Sequence, residues 1–212
     1  MTPRLPRVAV EDLVVSYGAE PVLRGLSFEV GAGSCVRVAG GNGAGKTTLL
    51  SVLAGLLPAD SGVVRVESDT VQPGDHPPLL ASPAQLFPYL SVHEHLLMTE
   101  RFALERGLQV DDAPTPADLA LEHVADSLAE RLSLGQRQRL AIGMLRTSGS
   151  DVWLLDEPFN GLDQAGVAAL REQVTALVAR RGVAVVAAHQ ASHLDGLVTS
   201  TLQLDSGQEV PT

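Results

Sequence analysis

Gly40-Gly41-Asn42-Gly43-Ala44-Gly45-Lys46-Thr47-Thr48 meets every requirement of the pattern G-x-x-x-x-G-K-[ST]. Glycines at 40, 41, 43 and 45 permit positive φ and close main-chain approach, so successive N–H groups can converge on phosphate oxygens. Lys46 is the only lysine of the chain, and the other fourteen basic residues are arginine. A compact ammonium can reach β- and γ-phosphates from inside a tight backbone cradle, where a planar guanidinium fork does not substitute for it. Upstream, Cys35-Val36-Arg37-Val38-Ala39 is a short β-like stretch, and downstream Thr47 to Ala54 carries apolar residues at helical spacing. Strand, loop and helix in that order form the context the motif requires. The helix aims its positive end at the same anion, and the Thr47 hydroxyl is placed to ligate Mg²⁺.

A second element of the same chemistry lies far downstream. Val152-Trp153-Leu154-Leu155 reads as a buried parallel strand, ending in Asp156-Glu157-Pro158. Carboxylates at the carboxyl end of a core strand face the ligand crevice of an open α/β sheet. Asp156 suits support of Mg²⁺, and Glu157 beside it is placed to polarise an attacking water.

Composition bounds the rest. With 212 residues, 45% of them hydrophobic, the chain is long enough for one well-buried α/β domain with a small lobe. Net charge of −10 argues against a nucleic-acid surface, which would show a basic excess. No apolar run approaches the ~20 residues that cross a bilayer, and residues 1–7 lead into no hydrophobic signal core, so the expectation is a soluble cytosolic chain. Cys35, the lone cysteine, sits on an apolar strand and reads as a small buried hydrophobe. His93 and His95, two apart, diverge on a helix and suggest no metal site.

Between the two nucleotide elements lies Leu132-Ser133-Leu134-Gly135-Gln136-Arg137-Gln138-Arg139-Leu140. Ser133 and Gln136 have the spacing of a capping box, which starts a helix able to receive an anion at its N-terminus. With Asp156-Glu157-Pro158, this segment resembles the ATP-binding cassette (ABC) ATPases, whose signature reads LSGGQ. Leu134 replaces the first signature glycine. The resemblance covers nearly the whole chain. It implies that Tyr17 stacks on adenine and that Phe159-Asn160-Gly161-Leu162-Asp163 is the loop crossing a dimer interface. It also implies that His189, after the apolar strand 183–188, contacts the γ-phosphate. One more departure is visible: the family's Mg²⁺-shell glutamine falls at Ser82, with Gln85 three residues later as the other candidate.

The implied architecture is an α/β phosphate-loop NTPase of the ABC type, with a parallel-sheet core, an N-terminal antiparallel β region and a small helical subdomain. Residues 1–70 and 150–212 form the nucleotide-binding core, and 71–149 the mainly helical part. Ser91 and Glu94 make a capping-box start for a helix through Arg101, and Thr115-Pro116 begins another at Asp118.

The implied function is that of an ATP-binding and hydrolysing subunit of a transporter, on the cytoplasmic face of a membrane with separate membrane-spanning permease subunits, and the compact lobe resembles that of ATPases paired with exporter-type permeases. Its cofactors are ATP and Mg²⁺. The ATP site comprises Tyr17 and Gly40, Gly41, Asn42, Gly43, Ala44, Gly45, Lys46, Thr47 and Thr48, with Thr47 and Asp156 on the metal. Glu157 and His189 are catalytic. Ser133, Gly135, Gln136 and Asp163 reach the ATP of a partner subunit, in a homodimer or a heterodimer with another ABC ATPase. Two alternatives accompany this reading, an ABC ATPase without a membrane partner and a regulatory subunit with weak hydrolysis.

Overall fold

The computed structural model describes residues 7–67, 76–108, 110 and 113–209. Two long strands open the fold, β1 (Arg7–Tyr17) and β2 (Glu20–Val30), followed by β3 (Ser34–Gly40) and helix α1 (Lys46–Leu53). Then come β4 (Ser61–Glu67), the two-residue β5 (Leu79–Leu80) and α2 (Val92–Glu105). The rest is α3 (Leu134–Thr147), β6 (Val152–Asp156), α4 (Gln164–Ala179), β7 (Val183–Ala187), β8 (Ser200–Asp205) and β9 (Gln208–Glu209).

β2, β1 and β4 form an antiparallel three-stranded sheet, and a six-stranded sheet has the order β5-β6-β7-β3-β8-β9. In the latter only β9 runs antiparallel, against β8. β6 and β7 are buried at all five positions each, as central strands covered on both faces must be. Alternation along β6 sorts its side chains. Val152 and Leu154 join α1 and the antiparallel sheet in one core, whereas Trp153 and Leu155 pack with α3 and α4 in a second. A third, smaller core joins Val92 and Leu96 of α2 to Leu132 and Leu140, with Leu119 and Leu121 between them. The antiparallel region, parallel core and helical lobe expected from the sequence are therefore all present.

Two boundaries differ from expectation. The lobe was placed at 71–149, but Leu79–Leu80 pair in parallel with Leu154–Leu155 and belong to the core sheet; residues 68–75 lie outside the described set. The helix expected at Asp118 is a single turn. Thr115 donates its N–H and hydroxyl to Asp118 Oδ2, but Ala120 at φ +53° breaks the helical path, allowing both Leu119 and Leu121 to enter the third core. The Ser91 start holds: Ser91 Oγ accepts from Glu94 N–H and the Glu94 carboxylate from Ser91 N–H, so α2 runs on to Glu105.

Candidate nucleotide-binding site

The carboxyl ends of β3 and β6 open on one cavity of about 480 Å³, together with the segment after β7. Its walls are Asn42 to Thr48, the Asp156-Glu157 pair and His189, with Tyr17 and Val22 from the antiparallel sheet closing one side. Tyr17 is more than half exposed, leaving its ring free for a flat ligand.

The phosphate loop is shaped by two glycines that cannot be replaced. At Gly40, φ +155°, a Cβ would stand 2.5 Å from the Leu204 carbonyl oxygen. At Gly45, φ +99°, it would stand 2.7 Å from Leu23 Cδ2. Gly45 is also the residue before α1, which has neither a side-chain cap nor an acidic residue in its first turn. The free N–H groups of that turn face the cavity without a side-chain acceptor, as an anion-binding helix start requires. Lys46 is buried, and its Nζ donates to the Gly40 and Gly41 carbonyls at 2.9 Å each, which folds the ammonium back over the loop.

Parallel pairing of Asp156 with Ala187 brings the ends of β6 and β7 together. Glu157 N–H donates to the Ala187 carbonyl at 2.8 Å, and Glu157 Oε2 accepts from His189 N–H at 3.2 Å. Glu157 Oε1 is buried without a hydrogen bond, 3.5 Å from His189 Nε2. Glu157 also holds φ +48°, a left-handed conformation that is strained for a non-glycine residue and is typical of functional sites. One carboxylate oxygen thus stands without a hydrogen bond in the wall of the cavity, with the His189 imidazole as its polar neighbour.

The remaining expected residues are elsewhere. Ser133, Gly135 and Gln136 do not line this cavity. Ser133 caps α3, accepting from Gln136 N–H at 3.3 Å while Gln136 Oε1 accepts from Ser133 N–H at 2.8 Å, so the expected capping box is formed. Asp163 caps α4 through Gly166 N–H, and both its oxygens lie 2.7 Å from Arg139 Nη2, which holds its carboxyl below the usual carboxylate range. Its side chain is thus engaged within its own chain. Neither Ser82 nor Gln85 reaches the cavity. Leu86 packs on the third core, and Gln85 is carried to a separate groove lined by Leu80, Thr99 and Met144. The metal-shell role considered for these two residues has no geometric basis here.

Sequence reasoning passed over three features. Val22 lines the cavity beside Tyr17. Leu134 covers Gly161, where a Cβ would lie 2.7 Å from Leu134 Cγ. Gln138 is fully buried, and a polar residue in the helical series 138, 142, 145 of an otherwise apolar stripe was its signal.

The donor set fits a Mg²⁺-nucleotide. Gly40 and Gly45 let the loop pack against Leu204 and Leu23 where a Cβ would collide, Lys46 supplies the charge, and the oxygen donors of Thr47 and Asp156 suit a hard cation.

Comparison with known proteins agrees with this geometry. The family model described as ABC transporter matches residues 23–160. The cytochrome c biogenesis ATP-binding export protein CcmA of Xanthomonas axonopodis pv. citri (strain 306) is 37% identical over 204 residues, covering 94% of both chains. That of Roseobacter denitrificans (strain ATCC 33942 / OCh 114) is 38% identical over 182 residues, covering 86% of this chain and 84% of its own. A solved ATP-binding subunit of an ABC transporter superposes with a TM-score of 0.84 at 25% identity, over 97% of this chain and 88% of that one. A bacterial Atm1-family ABC exporter with ATP bound superposes with a TM-score of 0.82 at 25% identity, over all of this chain and 39% of that one.

Proposed function

The chain belongs to the ABC transporter family, as an ATP-binding subunit, and from that premise we propose that it hydrolyses ATP to drive export through separate membrane-spanning subunits. Direction is supported by relatives named for ATP-binding export. Among the described residues no helix is long and apolar enough to cross a membrane, which fits a peripheral place on the cytoplasmic face beside permease subunits that form the path.

In the proposed mechanism, the main chain of the phosphate loop and Lys46 hold the phosphates, and Tyr17 packs on the base. Thr47 and Asp156 would hold Mg²⁺, which when bound would neutralise charge on the terminal phosphates. Glu157 Oε1, the oxygen left without a hydrogen bond, takes the proton of the attacking water, while His189 N–H fixes the other oxygen. His189 Nε2, 58% exposed as a side chain, is free to turn toward the γ-phosphate. The site is completed by Ser133, Gly135 and Gln136 of a second subunit, in this proposal a copy of the same chain or another ABC ATPase. That the signature lies outside its own chain's cavity is what this arrangement requires.

The observation that supports hydrolysis most directly is the strained Glu157 with its unsatisfied oxygen. Glu157→Gln tests it. General-base contributions are typically ~10²–10⁴-fold, so MgATP-dependent phosphate release should fall by about that factor with nucleotide binding intact. Undiminished turnover in the variant would overturn the assignment. If the relatives share their process as well as their direction, deleting the gene should deplete covalently assembled cytochrome c.

A further inference from the structure

We propose that Gln138 is a positioning residue for Glu157, linking the signature helix to the catalytic carboxylate. The inference rests on the hydrolytic reading of the site. Gln138 lies in the first half of α3, is fully buried, and donates through Nε2 to the Pro158 carbonyl at 2.9 Å. Pro158 immediately follows Glu157, so this bond anchors the Pro158–Phe159 peptide, one residue beyond the strained one. The other end of the amide is the informative part. Gln138 Oε1 is buried with no hydrogen-bond partner. An unsatisfied buried amide oxygen opposes folding, and an apolar side chain of the same length would avoid it. A glutamine kept for stability alone is poorly suited to this position; one needed to hold the Pro158 carbonyl is well suited.

Two further contacts make α3 and the 157–163 segment move as a unit. Leu134 packs on Gly161, and Arg139 pairs with Asp163. These two contacts flank Gln138 along α3 and attach beyond Pro158, whereas Gln138 attaches at the Pro158 carbonyl, nearer to Glu157. A displacement of the Ser133 end of α3 therefore reaches the carboxylate through the Gln138–Pro158 bond. Glu157 itself is held by Ala187 and Asn160 on its main chain and by His189 N–H on its side chain, and Gln138 holds the residue that follows it.

Gln138→Met tests this, because it keeps the length and removes both the donor and the orphaned oxygen. Misplacement of a catalytic group by about 1 Å can lower the rate on the order of 10²-fold, so kcat for MgATP hydrolysis should fall about 10- to 100-fold. KM and the affinity for MgATP should stay within about twofold, and the thermal midpoint should stay close to the parent's, because the variant exchanges the orphaned Oε1 for an orphaned Pro158 carbonyl. In a Glu157→Gln background the same change should add little, since the group it positions is already disabled. Wild-type kcat in Gln138→Met, or a fall in kcat matched by loss of binding and of thermal midpoint, would overturn the proposal. The parent protein is measured alongside: absence of turnover there would refute the hydrolytic reading and this inference with it, whereas parent turnover matched by an equal kcat in Gln138→Met refutes this inference alone.

Discussion

His189 reaches Glu157 twice, through its main-chain N–H at 3.2 Å from Oε2 and through Nε2 at 3.5 Å from Oε1. The residues are 32 positions apart and meet because β6 and β7 are paired in parallel up to Asp156 and Ala187. The main-chain half of this relationship needs only a backbone N–H at 189, so His189→Ala removes only the imidazole. The sheet thus fixes Glu157, and the histidine ring lines the cavity beside it.

Lys46 offers the simplest chemical test of the phosphate site. As the only lysine, it should be the only side-chain amine to react with an acylating reagent, and MgATP should protect it. Lys46→Arg should lose most MgATP affinity although charge is retained, because the ammonium folds onto the Gly40 and Gly41 carbonyls within a space a guanidinium fork does not match. Titration with a fluorescent ATP analogue measures it; unchanged affinity in Lys46→Arg would remove Lys46 from the site.

Much of this was legible in the sequence because it is local. The phosphate loop, the strand ending in Asp156 and the two capping boxes each depend on residues within a few positions of one another, and each is formed as read. What was not legible depends on distant partners. Nothing near Asp163 announces Arg139, 24 positions earlier, nor near Gly161 the side chain of Leu134. The turn at Asp118 failed as a helix because burial of both Leu119 and Leu121 outweighed a sound local start signal. Of the two open readings of Gln85, the loop one fits its place in the separate groove, beside Leu86 on the third core.

Burial pushes the Cys35 thiol up to about 11 from an ordinary 9.0. At pH 8 the native protein should therefore resist a thiol-directed disulfide reagent and react with one equivalent only after unfolding. The sign for stability follows from a raised pKa on an acid: the fold favours the protonated thiol, so its contribution is complete below pH 9 and declines as pH rises toward 11. Cys35→Ala should flatten that alkaline decline. Rapid native labelling at pH 8 would contradict the buried position.

Gly161→Ala should destabilise the fold by roughly 1–3 kcal/mol, since φ is +78° and the new methyl would lie 2.7 Å from Leu134 Cγ. Leu134→Ala in the same chain should restore part of the loss, the clash being removed and the backbone strain kept. Denaturant unfolding of the two single variants and the double variant measures the coupling. Strict additivity would show that Leu134 does not rest on Gly161.

Asp163 sets an acid dependence of opposite sign to that of Cys35. Arg139, with the Gly166 N–H, lowers its carboxyl from an ordinary 3.8, so the folded state favours the ionised form. That contribution is present above pH 3.8 and is lost as pH falls through the lower folded value. Asp163→Asn should show a shallower loss of thermal midpoint below pH 4 than the parent. Identical acid limbs would argue that the Arg139 pair does not persist in solution.

The composite site is tested most directly by the mass of Glu157→Gln in light scattering. With chemistry blocked, MgATP should hold Lys46 of one copy to Ser133 of the other and give twice the 22.2 kDa of a single chain, while MgADP should not. Adding Ser133→Arg, which places a guanidinium at the start of α3, should return the mass to 22.2 kDa in MgATP. A Glu157→Gln protein that stays at the mass of one chain in saturating MgATP would contradict the two-copy site.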